Sequence, residues 1–278
     1  MTDGWFDGLD PGDLDGAAAA IRDGGTERPQ EWPEIAVMDG YAEDTTAYYE
    51  RLHDATMAAT ERAVEAREGA DDRQLVHAVR AMADCERTAN ELAERVAEWG
   101  ESRSGDAGSG IDYARELAAA DGTDAAGAGL QSLAQRVVDL DEEATRLRTY
   151  IDQTAPEVAP NLSALAGPVL TARLLSLAGG LASLAKKPSG TVQVLGAEDA
   201  LFAHLRGNAP SPKHGIIFTH EAVRGTHPDN RGSAARALAG KLSIAARVDH
   251  YSGDLRPELQ ADLNERIETI QARTEGDR

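Results

Sequence analysis

The chain has 278 residues, 41% of them hydrophobic, and a formal net charge of −20. That length and apolar content support one large or two modest cores and exclude an unfolded acidic tail. A single cysteine, Cys85, excludes an intrachain disulfide and a cysteine-built metal module, and fits a reducing, intracellular setting.

Aromatic residues make up only 4% of the chain while alanine is abundant. The core is therefore built from small and aliphatic side chains, as in closely packed helices, and a mainly α fold is expected. Abundant Asp and Glu with four lysines suit a protein working in molar salt, where self-repulsion is screened within roughly 3 Å. A halophilic host is expected, so only local departures from acidity report a partner.

Residues 1–46 are rich in Gly, Asp and Pro, with Trp5, Phe6, Trp32 and Ile35 as scattered apolar points. They read as a small, loosely structured head. The opening MTDGWFDGLDPGDLDG has no cationic region followed by an apolar run, which argues against a signal peptide or anchor and for a cytoplasmic location. Helical patterns follow over Tyr48 to Arg67 and Asp71 to Trp99, the second with Leu75, Val79, Met82, Ala89 and Val96 on one stripe.

Gly100 to Gly110, GESRSGDAGSG, has the composition of a flexible linker, and a short helix is expected over Ile111 to Ala120. Then Leu130, Leu133, Val137, Leu140, Ala144, Leu147 and Ile151 recur at alternating steps of three and four, which is a heptad stripe. Two such helices can form an antiparallel hairpin that pairs with a second copy through Leu130, Leu133, Val137, Leu140, Leu147 and Ile151. A plain helical bundle satisfies the same periodicity.

Asn161 to Ala185 is almost uniformly apolar and long enough to test as a membrane span. Arg173, Pro168, Gly179 and Gly180 argue for buried core helices instead. Thr191 to Leu195 and Gly215 to Thr219 read as short strands or strand-like turns around a helix from Ala197 to Arg206. Arg231 to Tyr251 is another helix, and the tail from Pro257 is a polar helix free to fray.

Charge is unevenly distributed. Residues 1–160 carry a net −22, residues 161–256 a net +5 and residues 257–278 a net −3. All four lysines and five of the seven histidines lie in the middle block, which implies an anionic ligand there. The candidates are Lys213, His214, His220, Arg224, Arg231, Arg236, Lys241 and Arg247; internal ion pairs with Glu198, Asp199, Glu221, Asp229 and Asp249 are the competing use. His214, His220 and His227 are spaced like zinc ligands but lack a fourth, so no metal is expected. Phosphate-loop, dinucleotide, HExxH and GxSxG signatures are missing, so neither a catalytic residue nor a cofactor is expected.

Four segments resemble the Nop-domain family of box C/D ribonucleoproteins: Ala159 to Ala185, Val192 to Arg206, Pro212 to His220 and Arg231 to Gly253. Weaker similarity runs through Tyr48 to Ala66 and Ala89 to Trp99. The resemblance implies a non-catalytic RNA-binding scaffold divided into a reduced head (1–46), a coiled-coil arm (47–157), a mostly helical Nop domain (158–256) and a polar tail (257–278). It also implies the partners: a box C/D guide RNA, the kink-turn-binding ribosomal-protein-like protein, the methyltransferase fibrillarin, and a second copy through the arm. Gly196, Ala197, Ala200, Leu201, His204 and Leu205 would face the kink-turn protein, and the eight basic-block residues the RNA. Asp199 departs from the family's usual GAEK lysine, and the head is shorter than usual.

Overall fold

A computed structural model describes residues 4–25, 28, 30–105, 108–120 and 124–275. Among these residues the chain forms fourteen α-helices and one 3-10 turn, with no strand. Two compact units divide at Ala70.

The first unit, Met1–Ala70, holds α1 (Leu14–Asp23), α2 (Trp32–Met38) and α3 (Thr45–Glu68). The carboxylates of Asp13 and Asp44 start α1 and α3 by accepting from Gly16 N at 2.9 Å and Ala47 N at 2.8 Å. The head is not loose. Phe6, Tyr41 and Tyr48 are buried together, with Trp5 and Trp32 packed around them. Phe6 and Tyr41 stack at 5.3 Å, and Trp5 Nε1 donates to the Tyr48 hydroxyl at 3.1 Å. Tyr48 of α3 is buried in this core with Ala47 and Leu52 packed against it, and the unit runs past residue 46 to Ala70.

The second unit, Asp71–Arg278, begins with an arm of α4 (Asp71–Ser104), α5 (Gly110–Ala119) and α6 (Ala125–Val158). The long helices run antiparallel. Leu75, Val79 and Met82 pack with Ala144 and Ile151 at one end, and Ala89, Ala93 and Val96 with Leu130, Ala134 and Val137 at the other. Ion pairs Arg148–Glu86 at 2.9 Å and Arg103–Asp124 at 2.8 Å flank the seam. The heptad stripe thus closes inside one chain: Leu130, Val137 and Ile151 are buried, which removes them as contacts to a second copy. Leu133, Leu140 and Leu147 are half-buried beside them.

The expected linker is mostly structure, since α4 continues through Gly100 to Ser104. Its glycines make room for rings. A Cβ on Gly100 would lie 2.4 Å from the Tyr113 hydroxyl and one on Gly108 2.0 Å from the Tyr113 ring; outside the linker, one on Gly129 of α6 would lie 3.0 Å from the Trp99 ring.

Beyond the arm come α7 (Pro160–Ala166), α8 (Pro168–Ala178), α9 (Leu181–Ala185), α10 (Ser189–Val194), α11 (Glu198–Leu205), the 3-10 turn Ile216–Thr219, α12 (Glu221–Arg224), α13 (Arg231–Tyr251) and α14 (Glu258–Glu275). The apolar stretch becomes α7, α8 and α9, with α7 and α8 bent by 116° at Gly167; no single helix among the described residues is long and apolar enough to cross a membrane. The axis of the unit is α13, whose Ala234, Ala235, Leu238, Ala239, Leu242, Ala245 and Ala246 are fully buried against its neighbours.

Two expectations fail here. The strand-like segments are α10 and the 3-10 turn, joined only by Gly215 N donating to Gln193 O at 2.9 Å and Ile216 N to Leu195 O at 2.7 Å. A Cβ on Gly215 would lie 1.9 Å from Leu195 O, so glycine permits the crossing. Nor is the tail loose as far as Ile270: Leu259, Leu263, Ile267 and Ile270 of α14 are buried, and Asn230 Nδ2 donates to Ile270 O at 3.3 Å, while residues 276–278 lie outside the described residues.

Two polar side chains tie α7 into place. The buried Asp249 carboxylate of α13 accepts from Asn161 N at 2.9 Å, Asn161 Nδ2 at 2.6 Å and Leu162 N at 2.9 Å, capping the exposed amides of α7 from another helix. His220 caps α12 by accepting from Ala222 N on Nδ1 at 3.1 Å, while its Nε2–H donates to Leu165 O at 2.9 Å. Both bonds require the neutral ring, and burial pushes its pKa below the usual histidine value.

Asp249→Ala orphans three donors and should lower unfolding free energy by about 3 kcal/mol in denaturant titrations. For His220 the folded pKa is depressed, so the unfolded chain binds more protons below the ordinary histidine pKa of about 6.5. Stability should be full above that pH and fall as pH drops toward the folded value. His214, also pushed down by burial, adds a limb of the same sign. His220→Asn, which can still cap α12, should make the acid slope of Tm against pH shallower without abolishing it.

Candidate nucleic-acid interface

One exposed stripe remains on α13. Arg236, Ile244, Arg247 and Tyr251 face solvent with Gly240 between them, at helical steps of four, four, three and four. The stripe is about 22 Å long at 1.5 Å per residue. Residues 186–194 run beside it in the opposite direction. At one end Arg247 Nε donates to Ala185 O at 3.1 Å and its Nη2 to Lys187 O at 3.5 Å. At the other, Gln193 Nε2 donates to Lys213 O at 2.7 Å, and the Lys213 side chain lies 3.8 Å from where a Cβ on Gly232 would stand.

The resulting face carries Lys186, Lys187, Lys213, Arg236 and Arg247, and its two segments, residues 186–197 and α13, expose no acidic side chain. Residues 186–197 contain no Asp or Glu, and the one acid of α13, Asp249, is turned inward. Gly190 and Gly240 leave open space on it. A cationic face free of carboxylates in a chain of net −20 is suited to phosphate.

The eight basic-block residues divide by use. Lys213 and Arg236 are exposed and unpaired. His214 is half-buried and stacks on Phe218 at 4.6 Å; burial, then the nearby Arg231 cation, pushes its pKa down. Arg231 lies over the same Phe218 ring at 5.3 Å and donates through Nε to Thr226 O at 3.1 Å, so only part of its guanidinium is free. Arg247 keeps its exposed flank while holding the 185–187 carbonyls.

The other three are committed elsewhere. His220 is the structural cap described above. Lys241 pairs with Asp262 of α14 at 2.6 Å, and Arg224 pairs with Glu221 at 2.8 Å. Lys186 and Lys187 belong to the face as well, although they are not among those eight. Their signal was present in the sequence: two of only four lysines, adjacent, in a chain that otherwise uses arginine.

The chain leaves this face at Gly196 and enters α11, which has no buried residue and opens on the exposed Glu198 and Asp199. Gly196 at φ +80° turns the chain into it, and Glu198 Oε1 accepts from Gly196 N at 2.9 Å. Gly196, Ala200, His204 and Leu205 are exposed and Ala197 and Leu201 half-buried, so all six expected contact residues lie on one small projection. Its apolar surface comes mainly from Leu205, 70% exposed, and Phe202, 54% exposed, which the sequence reading overlooked. Leu177 of α8, 3.3 Å from where a Cβ on Gly196 would stand, continues the patch. Phe202 and Leu205 of α11 and Leu177 of α8 together expose an aromatic ring and two leucines to water, the kind of apolar patch that suits a protein partner. Among the described residues, no three His, Cys, Asp or Glu side chains gather as a metal site.

Residues 71–270 match the Nop family, described as a snoRNA binding domain, fibrillarin. Among curated proteins, the chain is 50% identical over 137 residues to an uncharacterized NOP5 family protein of Methanocaldococcus jannaschii, covering 49% of this chain and 33% of that one. It is 44% identical over 134 residues to nucleolar protein 56 of Dictyostelium discoideum and 42% identical over 139 residues to that of Homo sapiens, covering 48% and 50% of this chain and 25% and 23% of theirs. The chain thus spans a third or less of the length of these relatives. Among solved structures, a chain of a fibrillarin/Nop5p complex has the same fold with a TM-score of 0.54 and 24% identity, covering 97% of this chain and 99% of that one. The match over 200 of 278 residues, coinciding with the α13 face and the α11 projection, makes this chain a member of the Nop family.

Proposed function

We propose that the chain is a non-catalytic scaffold of the box C/D guide ribonucleoprotein. It holds a kink-turn RNA together with the small protein bound to it, and brings both to fibrillarin for 2'-O-ribose methylation of rRNA or tRNA. The observation that carries the reading is the acid-free basic face of α13 lying beside the apolar α11 projection. RNA phosphates suit the first and a small protein suits the second.

The combination has a physical reason. In concentrated salt, counterion release contributes little, so a purely ionic RNA contact is weak. Shape, hydrogen bonds to unpaired nucleotides and a shared protein surface have to supply the rest. Fibrillarin recruitment is assigned to the first unit, supported by a fold likeness that extends over nearly the whole chain. Pairing of two copies is assigned to the half-buried flank of the arm, Leu133, Leu140 and Leu147, with Tyr150 exposed next to it.

A gel-shift titration in concentrated KCl tests the composite site. A supershift of guide RNA is expected only when the kink-turn protein is present; no shift in either case overturns the reading. Arg236→Glu should weaken the ternary complex at least about tenfold, and Phe202→Ala about thirtyfold, as for a central aromatic anchor. Co-purification of fibrillarin with the ternary complex supports the recruiting role; a complete complex that leaves fibrillarin behind would restrict the function to kink-turn binding.

A further inference from the structure

We infer that Tyr251 is a stacking platform for an unpaired RNA base that leaves the kink-turn along the α13 face. The inference rests on the RNA-binding reading above and extends it beyond phosphate contacts.

Tyr251 is 70% exposed at the C-terminal end of α13, where burial gives no reason for an aromatic ring. It lies one helical turn past Arg247 on the same stripe, so its ring follows directly on the end of the face carrying Lys186 and Lys187. The neighbouring His250 ring, also exposed, is tilted against it at 4.6 Å. The local carboxylate does not interfere, because Asp249 is occupied by the amides of Asn161 and Leu162. The next acid, Asp254, comes only after the turn at Gly253, whose φ is +73°.

Cations that track a backbone, followed by a solvent-exposed aromatic ring, form the arrangement by which proteins hold single-stranded nucleic acid without reading its sequence. Stacking loses little strength in high salt, unlike the ion pairs next to it, so the contact suits the solvent implied by the chain's acidity. The ring alone, not the hydroxyl, supplies the interaction.

The test is a gel-shift titration in concentrated KCl of the full chain onto a kink-turn RNA with its bound protein, the RNA carrying oligoadenosine tails at both ends or cut blunt. On tailed RNA, Tyr251→Ala should weaken binding about tenfold and Tyr251→Phe should match the unsubstituted chain. On blunt RNA, Tyr251→Ala should have no effect. The proposal is overturned by an unaffected Tyr251→Ala on tailed RNA, by a loss that persists on blunt RNA, which would put the ring against the protein partner, or by a Tyr251→Phe as weak as the alanine variant. Arg236→Glu separates the two layers. If it weakens binding while Tyr251→Ala does not, only the stacking is lost; if neither substitution matters, the RNA face itself is lost.

Discussion

Close approach of neighbouring backbones to α13 is the constraint on which the second unit depends. Ala234, Ala235, Ala239, Ala245 and Ala246 are all fully buried, and only Leu238 and Leu242 bring large side chains to the same helix. Methyl groups let α7, α9, α10, α12 and α14 pack around one axis, but each buries little apolar surface, on the order of 0.8 kcal/mol per carbon. Short helices such as α9, α10 and α12 cannot hold themselves together on that basis. Polar ties complete what packing leaves loose: Asp249 on α7, His220 between α7 and α12, and Arg247 on the carbonyls after α9.

Scarce cations therefore have two uses. Lys241 fastens α14 to α13 through Asp262, and Arg224 closes a local pair. Arg231 and Arg247 donate to backbone carbonyls while keeping an outer flank. Lys186, Lys187, Lys213 and Arg236 make no ion pair among the described residues. Exposed pairs of this kind contribute little to stability. What they contribute is geometry, since the strand of backbone carrying the two adjacent lysines is fixed to the helix carrying Arg236.

Much of this organisation was legible in the sequence where a period is sustained. The stripe from Leu130 to Ile151 and the helix from Arg231 to Tyr251 are long enough for helical spacing to emerge. The charge reversal over residues 161–256 marked the block in which the basic face of α13 lies. Legibility ended where tertiary contact decides. Thr191, Val192 and Val194 have strand-like branching, yet burial of Val192 and the tight crossing at Gly215 make the segment a helical turn. The aromatic residues of the head share no period because they meet from three separate segments around Phe6. His220 has the residue type of a ligand, and only the positions of Leu165 and Ala222 reveal a neutral cap.

The arm's seam has a further consequence. Because α4 and α6 satisfy each other within one chain, folding of the arm is a first-order event whose rate does not depend on protein concentration. Its contacts join segments separated by a single short helix, so the hairpin can close early, before the longer-range packing around α13. Any association of two copies would then be a separate, second-order step between finished arms. Such a step could be gained, lost or exchanged without unfolding either chain, unlike a seam shared between two chains.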